Sequence, residues 1–214
     1  ALVERYGGAV RRYLLASLRD ADAADEVFQD FALRFIRGDF RSADPAHGKF
    51  RAFLKTIIGR MVTDYHRRKQ RRNRHEVLAQ HELPDAVDRA GDGDAGEVDF
   101  AVSWREDLLA RSWEQLRETE RNEGNSSYTI LRCRVEHPNA KSQELAELLS
   151  ETMGKPLTAN HVRVMVYRAR DKFAGILMEE VAGSLDDVSF DGLEQELIDL
   201  GLHDYCRDVL ERMR

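Results

Sequence analysis

Cysteine is scarce in this sequence, and it follows no recognisable pattern. Cys133 and Cys206 are the two cysteines among 214 residues, and neither has a second cysteine at metal-ligand or redox spacing. A disulfide framework and a zinc site are therefore not supported, and we expect both thiols to be reduced packing residues. Histidine and carboxylate residues form no cluster at metal spacing either, so we predict no metal and no cofactor.

Long apolar runs and catalytic motifs are also missing. No stretch approaches the roughly 20 uninterrupted apolar residues of a membrane helix, and even "TIIGRMV" is broken by Arg60. Because no apolar signal segment opens the chain, we expect a cytoplasmic protein without membrane insertion. There is no phosphate-cradling glycine loop and no nucleophile motif, so we predict a protein that is not an enzyme and has no catalytic residues.

Charge is distributed very unevenly along this acidic chain, whose formal net charge is −6. The segment from Lys49 to Arg74 contains ten lysine and arginine residues and one acidic residue, Asp64. The segment from His81 to Phe100, in contrast, is rich in aspartate, glutamate and glycine. The acidic composition predicts a flexible linker. Local basic patches, and not the net charge, decide whether a protein binds nucleic acid, so the acidic total does not exclude it.

The linker divides the chain into two small domains. We place the first domain at residues 1–79, the acidic linker at 80–101, the second domain at 102–178 and a C-terminal helical extension at 179–214. No alternating pattern typical of strands occurs, and we predict an all-α fold with a helix-turn-helix in the second domain. We expect the extension to fold back on one of the domains and tune its activity, or to dock a regulator.

Apolar residues recur at helical spacing in three segments of the first domain, which predicts three helices that share a core. The three predicted stripes are Val3, Tyr6, Val10, Tyr13, Leu14 and Leu18; Val27, Phe28, Phe31, Phe35 and Ile36; and Phe50, Phe53, Leu54, Ile57, Ile58, Met61, Val62 and Tyr65. Beyond Tyr65 the apolar stripe stops, and "HRRKQRRNR" carries six basic residues. A solvated helix end would need one or two cations in its last turn, so this excess favours a nucleic-acid partner over that alternative.

The second domain contains the pattern of a helix-turn-helix. A helix should end before Pro138, Ser142 should cap the next one, and Gly154 and Pro156 should separate it from a helix capped by Thr158. The last helix has a predicted inward face of Val162, Met165, Val166, Ala169 and Phe173 and an outward face of Asn160, His161, Arg163, Val164, Tyr167, Arg170 and Lys172, with Arg168 near its edge. Arg163 and Asn160 are the candidate base readers. An ordinary helical hairpin with a charged face explains this segment equally well on its own, and His161 as a capping or solvent residue remains an alternative to a ligand.

Three motifs together resemble the bacterial RNA polymerase sigma factors of the extracytoplasmic-function type: "AADEVFQDFALRFI", "GDFRSADPAHGKFRAFLKTIIGRMVTDYHRRKQRR" and "VRVMVYRAR". The resemblance implies that Asp25, Glu26, Gln29, Asp30 and Arg34 bind core polymerase. It implies that Phe40, Arg41, Lys49, Phe50, Arg51, Lys55, Arg60, Arg67 and Arg68 bind the minus-ten promoter element. It also implies that Thr158, Asn160, His161, Arg163, Val164, Tyr167 and Arg168 bind the minus-thirty-five element.

The chain departs from the expected pattern at two residues and at the turn "SETMGKPL", which is longer than the usual helix-turn-helix turn. Arg60 stands where the family commonly has asparagine, so the family's minus-ten sequence preference does not transfer. The family implies an outward Met165, whereas the apolar period predicts an inward one.

The resemblance implies a transcription initiation factor. Its expected partners are the polymerase core, through the clamp helices and flap, promoter DNA, and an anti-sigma protein or another regulator. Two alternatives stay open: a dimeric helix-turn-helix regulator that binds a palindrome without polymerase, and a helical adaptor or anti-regulator that binds no nucleic acid.

Overall fold

The computed structural model describes residues 2–39, 50–78, 95–185 and 189–214. In these ranges the regular secondary structure is entirely helical, which confirms the all-α prediction. The helices are α1 (Leu2–Leu18), α2 (Ala21–Arg37), α3 (Phe50–Leu78), α4 (Ala95–Glu123), α5 (Ser127–Glu136), α6 (Ser142–Met153), α7 (Ala159–Ala182), α8 (Phe190–Asp199) and α9 (His203–Met213).

The first compact unit, residues 1–107, is built on α1, α2 and α3, which pack against one another. The predicted stripes supply its core, with Val10, Leu14, Phe31, Leu54 and Ile58 fully buried. The side chain of Asp20 caps α2 by accepting a hydrogen bond from the Ala23 amide at 3.2 Å. The left-handed Gly38, with φ 76°, ends α2, a conformation that glycine adopts without a Cβ penalty.

The prediction that Ile36 belongs to the buried stripe of α2 is wrong. Ile36 is 75% exposed, whereas Val27 and Phe31 are 2% exposed. Five residues after Phe31 correspond to about 140° around a helix of 3.6 residues per turn, so Ile36 lies far from the face that packs on the core. Its side chain is therefore available for an external contact.

The first part of α4 belongs to the same compact unit. Trp104 stacks on Tyr6 with ring centroids 5.1 Å apart, and Phe100 meets Tyr13 edge-on at 5.2 Å. Such aromatic pairs add to the free energy that burial of their apolar area contributes. The compact units divide between Asp107 and Leu108, inside α4, whereas the sequence placed the start of the second domain at residue 102.

The predicted linker at 80–101 falls largely outside the described residues. Its last part, from residue 95, forms the beginning of α4. The apolar residues Phe100 and Trp104 lie four positions apart, so they share one face of this helix. The functional roles assigned to the two domains stay predictions.

The second compact unit, residues 108–214, is arranged around α7, which packs against α5, α6, α8 and α9. A continuous series of ring contacts passes through it. Trp113 lies against Tyr128 at 5.8 Å and against Phe173 at 4.8 Å, and Phe173 meets Tyr205 edge-on at 5.8 Å. Phe173 thus connects α4 and α9 through the middle of α7.

The predicted ends of α5 and α6 are nearly right. Helix α5 ends at Glu136, before Pro138, as expected. The prediction that Ser142 caps α6 is wrong by one residue, because Lys141 occupies the cap position and its amide donates to the Glu144 carboxylate at 2.8 Å. This hydrogen bond is the return half of a capping box, in which the third helical residue satisfies the cap amide.

The apolar residues of the C-terminal extension form two helices, α8 and α9, and both pack on α7. Ser189 caps α8 by accepting from the Gly192 amide at 3.1 Å. The buried apolar side chains of α8, α9 and the connection between them are Leu193, Leu197, Leu200, Leu202, Cys206 and Leu210, and the side chain of Glu196 is buried with them. Both cysteines are free thiols, and burial raises the pKa of Cys206 to about 11.

Candidate nucleic-acid and protein interfaces

The residues predicted to bind core polymerase lie on the solvent side of α2. Glu26 and Gln29 are exposed, while Asp25 is half-buried beside Arg11, with an ion pair of 2.8 Å. Asp30 and Arg34 form a bidentate pair, in which the Nε–Oδ1 distance is 3.0 Å and the Nη2–Oδ2 distance is 2.9 Å. Two of the predicted carboxylates are thus held in ion pairs, which leaves Glu26 and Gln29 as the freely exposed polar groups of the set.

Two apolar residues lie on the same side of α2: Leu33, which the sequence analysis did not name, and Ile36, which it placed in the buried stripe. Leu33 is 53% exposed and Ile36 is 75% exposed, and they follow Gln29 by four and seven positions. That spacing places all three side chains on one face, which we call the α2 face together with Glu26. Exposed apolar side chains surrounded by charged ones are typical of a protein-binding surface. The signal was present as a second apolar pair off the Phe31 stripe.

The predicted minus-ten residues are only partly described. Phe40, Arg41 and Lys49 lie outside the described residues, and Phe50 is the first residue of α3. Arg51 and Lys55 are half-buried and flank the buried stripe of Leu54 and Ile58.

Arg60, Arg67 and Arg68 are exposed on the other side of α3. Since residues three, four and seven positions apart share a helix face, the structure groups these arginines and separates them from Arg51 and Lys55.

An open cleft of about 340 Å³ lies beside this exposed side of α3. It is lined by Arg34, Asp64, Arg67, Arg68 and Arg71. The lining therefore contains four guanidinium groups and one carboxylate, and we call this region the arginine cleft. Guanidinium groups bind phosphate oxygens with paired hydrogen bonds, so the arginine cleft is suited to a phosphate group. Arg34, predicted to bind polymerase, lies on its α2 side.

The connection between α6 and α7 covers residues 154–158 and is stabilised by hydrogen bonds. Gly154 adopts a left-handed conformation with φ 64°, and the hydroxyl of Ser150 accepts a hydrogen bond from the Leu157 amide at 2.9 Å. The Thr158 hydroxyl caps α7 by accepting from the His161 amide at 3.2 Å, as predicted. Before α6, Arg134 of α5 donates to the Ala140 carbonyl of the connection between α5 and α6 at 2.8 Å. These contacts fix the start of α7 relative to α6.

The residues predicted to read the minus-thirty-five element are all exposed along the first half of α7. They are Thr158, Asn160, His161, Arg163, Val164, Tyr167 and Arg168, and we call them the α7 face. Val162, Ala169 and Phe173 are buried on the opposite side, as predicted, whereas Met165 is half-buried, between the two expectations for it. The α7 face offers two arginines, an amide, an imidazole and a phenol to a partner.

Two further kinds of site were considered, a metal site and a membrane-spanning helix. No three side chains of His, Cys, Asp or Glu come together there in a way that could hold a metal ion. No helix in that part of the chain is both long and apolar enough to cross a membrane.

Comparison with protein families identifies the first part of the chain. Residues 2–72 match the family Sigma-70 region 2, and this range holds α1, α2 and most of α3. No curated protein and no solved structure matches the chain. The matched range contains both the α2 face and the arginine cleft. The first third of the chain is therefore a Sigma-70 region 2 domain, a match that supports a sigma factor that works with RNA polymerase.

Proposed function

We propose that the chain is a sigma factor of the extracytoplasmic-function type and that it directs core polymerase to promoters through two DNA-binding surfaces. The observation that carries the proposal is the combination of a Sigma-70 region 2 with a second helical unit whose α7 face is polar, basic and exposed. In this proposal the α2 face binds the core clamp helices, α3 binds the minus-ten element and the α7 face reads the minus-thirty-five element. In the same proposal, the protein supports opening of the DNA duplex and acts in the bacterial cytoplasm.

The composition of the α2 face supports its assignment to core polymerase. Glu26 and Gln29 can form polar contacts at its edge, while Leu33 and Ile36 provide apolar area that is still exposed in the free protein. Protein interfaces combine an apolar centre with a polar rim in this manner. The ion pairs of Asp25 with Arg11 and of Asp30 with Arg34 hold the carboxylates on either side of that centre.

The basic end of α3 supports the minus-ten assignment. Arg67, Arg68 and Arg71 line the arginine cleft, and Arg72 and Arg74 continue the positive charge along the helix. Phosphate binding releases counterions from DNA, and this release lowers the free energy of the complex at low salt. The arginine cleft would position one phosphate, while base recognition requires other side chains of the same unit.

The α7 face supports the minus-thirty-five assignment. An α-helix fits the major groove of B-form DNA, and the residues near the start of the second helix of a helix-turn-helix contact base edges. Asn160 and Arg163 lie within the first turns of α7, immediately after the Thr158 cap. Arginine can donate two hydrogen bonds to guanine and asparagine can pair with adenine, so these two side chains are the proposed base readers.

Core binding and promoter-dependent transcription test the proposal together. The chain carrying Glu26→Ala and Gln29→Ala should lose binding to bacterial core polymerase and run-off transcription from a promoter selected by the wild-type holoenzyme. The matched control replaces Gln143 and Glu147 of α6, an equally exposed glutamine and glutamate, with alanine. We expect the control to bind core normally.

Equal core binding by both double variants would contradict the role of the α2 face. Tight binding to a palindromic duplex in the absence of core, with no binding to core, would instead support a regulator that acts without polymerase.

A further inference from the structure

One stripe of α7 is exposed in its first half and covered in its second half. Asn160, Val164 and Tyr167 belong to the α7 face, and Asp171 follows Tyr167 by four positions, so it continues the same stripe. About one, two and three turns further on, Ala174, Met178 and Val181 are buried, at 2%, 3% and 0% exposure. Asp171 therefore marks the boundary between the exposed surface and the covered surface.

The covering segment is the C-terminal hairpin, residues 189–214, which contains α8 and α9. The Tyr205 ring of α9 lies edge-on against Phe173, and the Arg212 guanidinium forms an ion pair with Asp171. Ala174 projects between these two contacts around α7, so the hairpin covers the helix from one contact to the other. The hairpin leaves the α7 face open, since Tyr167 remains 55% exposed.

Arg212 of the hairpin interacts with one residue of the α7 face, Tyr167. Its guanidinium makes this contact besides its ion pair with Asp171. The hydrogen bond to Asp171 is the main cause that raises the pKa of Arg212 above its ordinary value. Without a positive partner, the Asp171 carboxylate would stand one helical turn beyond Tyr167 and repel any phosphate group bound there.

We propose that Arg212 is a positioning residue for DNA recognition and that the C-terminal hairpin is part of the DNA-reading unit. Arg212 neutralises Asp171 at the end of the α7 face and orients Tyr167 toward DNA. This inference rests on the proposed contact between the α7 face and promoter DNA. The hairpin is thus expected to increase DNA affinity and not to block it, because the base-reading residues stay exposed when it is packed.

The test measures binding of the holoenzyme, assembled from the full chain and core, to a promoter duplex that the wild-type holoenzyme selects from a random library. Arg212→Gln should weaken binding about two- to fivefold, the range expected for a partly exposed ion pair. Asp171→Asn should not weaken it, and in that background Arg212→Gln should have a smaller effect, because only the contact with Tyr167 is then lost. Arg207→Gln is the matched control, because Arg207 is similarly exposed and pairs with Asp204 on its own helix.

Two additional variants separate the possible explanations. Arg212→Lys, which keeps the charge, should retain most of the affinity, and thermal unfolding should show that Arg212→Gln remains folded. Wild-type affinity in Arg212→Gln, or an equal loss with and without Asp171→Asn, would overturn the inference. Arg163→Ala tests the proposed function separately: if it binds DNA like the wild type, the α7 face does not contact DNA and both proposals fail.

Discussion

Replacement of Ile36 by alanine should separate core binding from folding. Three quarters of Ile36 is exposed in the free protein, so most of its apolar area is still available for burial against a partner. Complete burial of an isoleucine side chain contributes about 1.5–3 kcal/mol. Truncation to alanine removes most of the area that is not yet buried, and we expect a loss of about 1–2 kcal/mol of binding free energy, or about five- to thirtyfold in Kd.

The assay is an equilibrium titration of fluorescently labelled chain with core polymerase, accompanied by thermal unfolding of the free chain. Because Ile36 is exposed, the free energy of unfolding should change by no more than about 0.5 kcal/mol. Leu15→Ala is the control, since Leu15 is an exposed apolar residue of α1 outside the α2 face. A Kd that Ile36→Ala leaves unchanged, or an equal loss in Leu15→Ala, would refute the reasoning.

Three further outcomes are expected. Gly154→Ala should lower stability by about 1–2 kcal/mol, because the φ of 64° at this position is strained for alanine. Gly59→Ala lies in a helix with open space around the added methyl group and should raise stability by up to about 1 kcal/mol. Equal shifts in Tm for the two variants would contradict this reasoning. Cys206, with a pKa of about 11, should resist alkylation near neutral pH in a Cys133→Ser chain until the chain is denatured. Its contribution to stability is complete below the ordinary thiol pKa and should be lost as pH rises toward about 11. Alkylation rates and unfolding free energies measured against pH would show both effects. Arg71→Gln should reduce the slope of log affinity against log salt for duplex DNA by about 1, and an unchanged slope would remove Arg71 from the DNA surface.

Helical periodicity predicted the helices well and the width of their buried faces less well. In α3 the predicted stripe has eight members, yet among those with described side chains only Leu54, Ile58 and Met61 are fully buried. The others, such as Phe53 and Tyr65, lie at the margins of the contact with α1 and α2, and sequence spacing alone does not show where a neighbouring helix ends. The same limitation explains the wrong assignment of Ile36.

The exposed side of α7 could be predicted from the sequence, because the positions of its polar residues follow from the period of one helix. The Thr158 cap and the exposed Arg163 follow from local pattern. The contact between Asp171 and Arg212 could not be found in this way, since it joins residues 41 positions apart and depends on how α9 packs on α7. The roles of the predicted site residues in polymerase and DNA binding stay predictions.

The covered half of α7 has a consequence for synthesis of the protein. While the ribosome has released α7 but not yet α9, α7 lacks part of the helical packing that surrounds its buried residues, such as Met178 and Val181. A nascent chain with such apolar residues exposed is a target for chaperones and proteases. The second unit should therefore reach its protease-resistant form only after α9 has emerged from the ribosome.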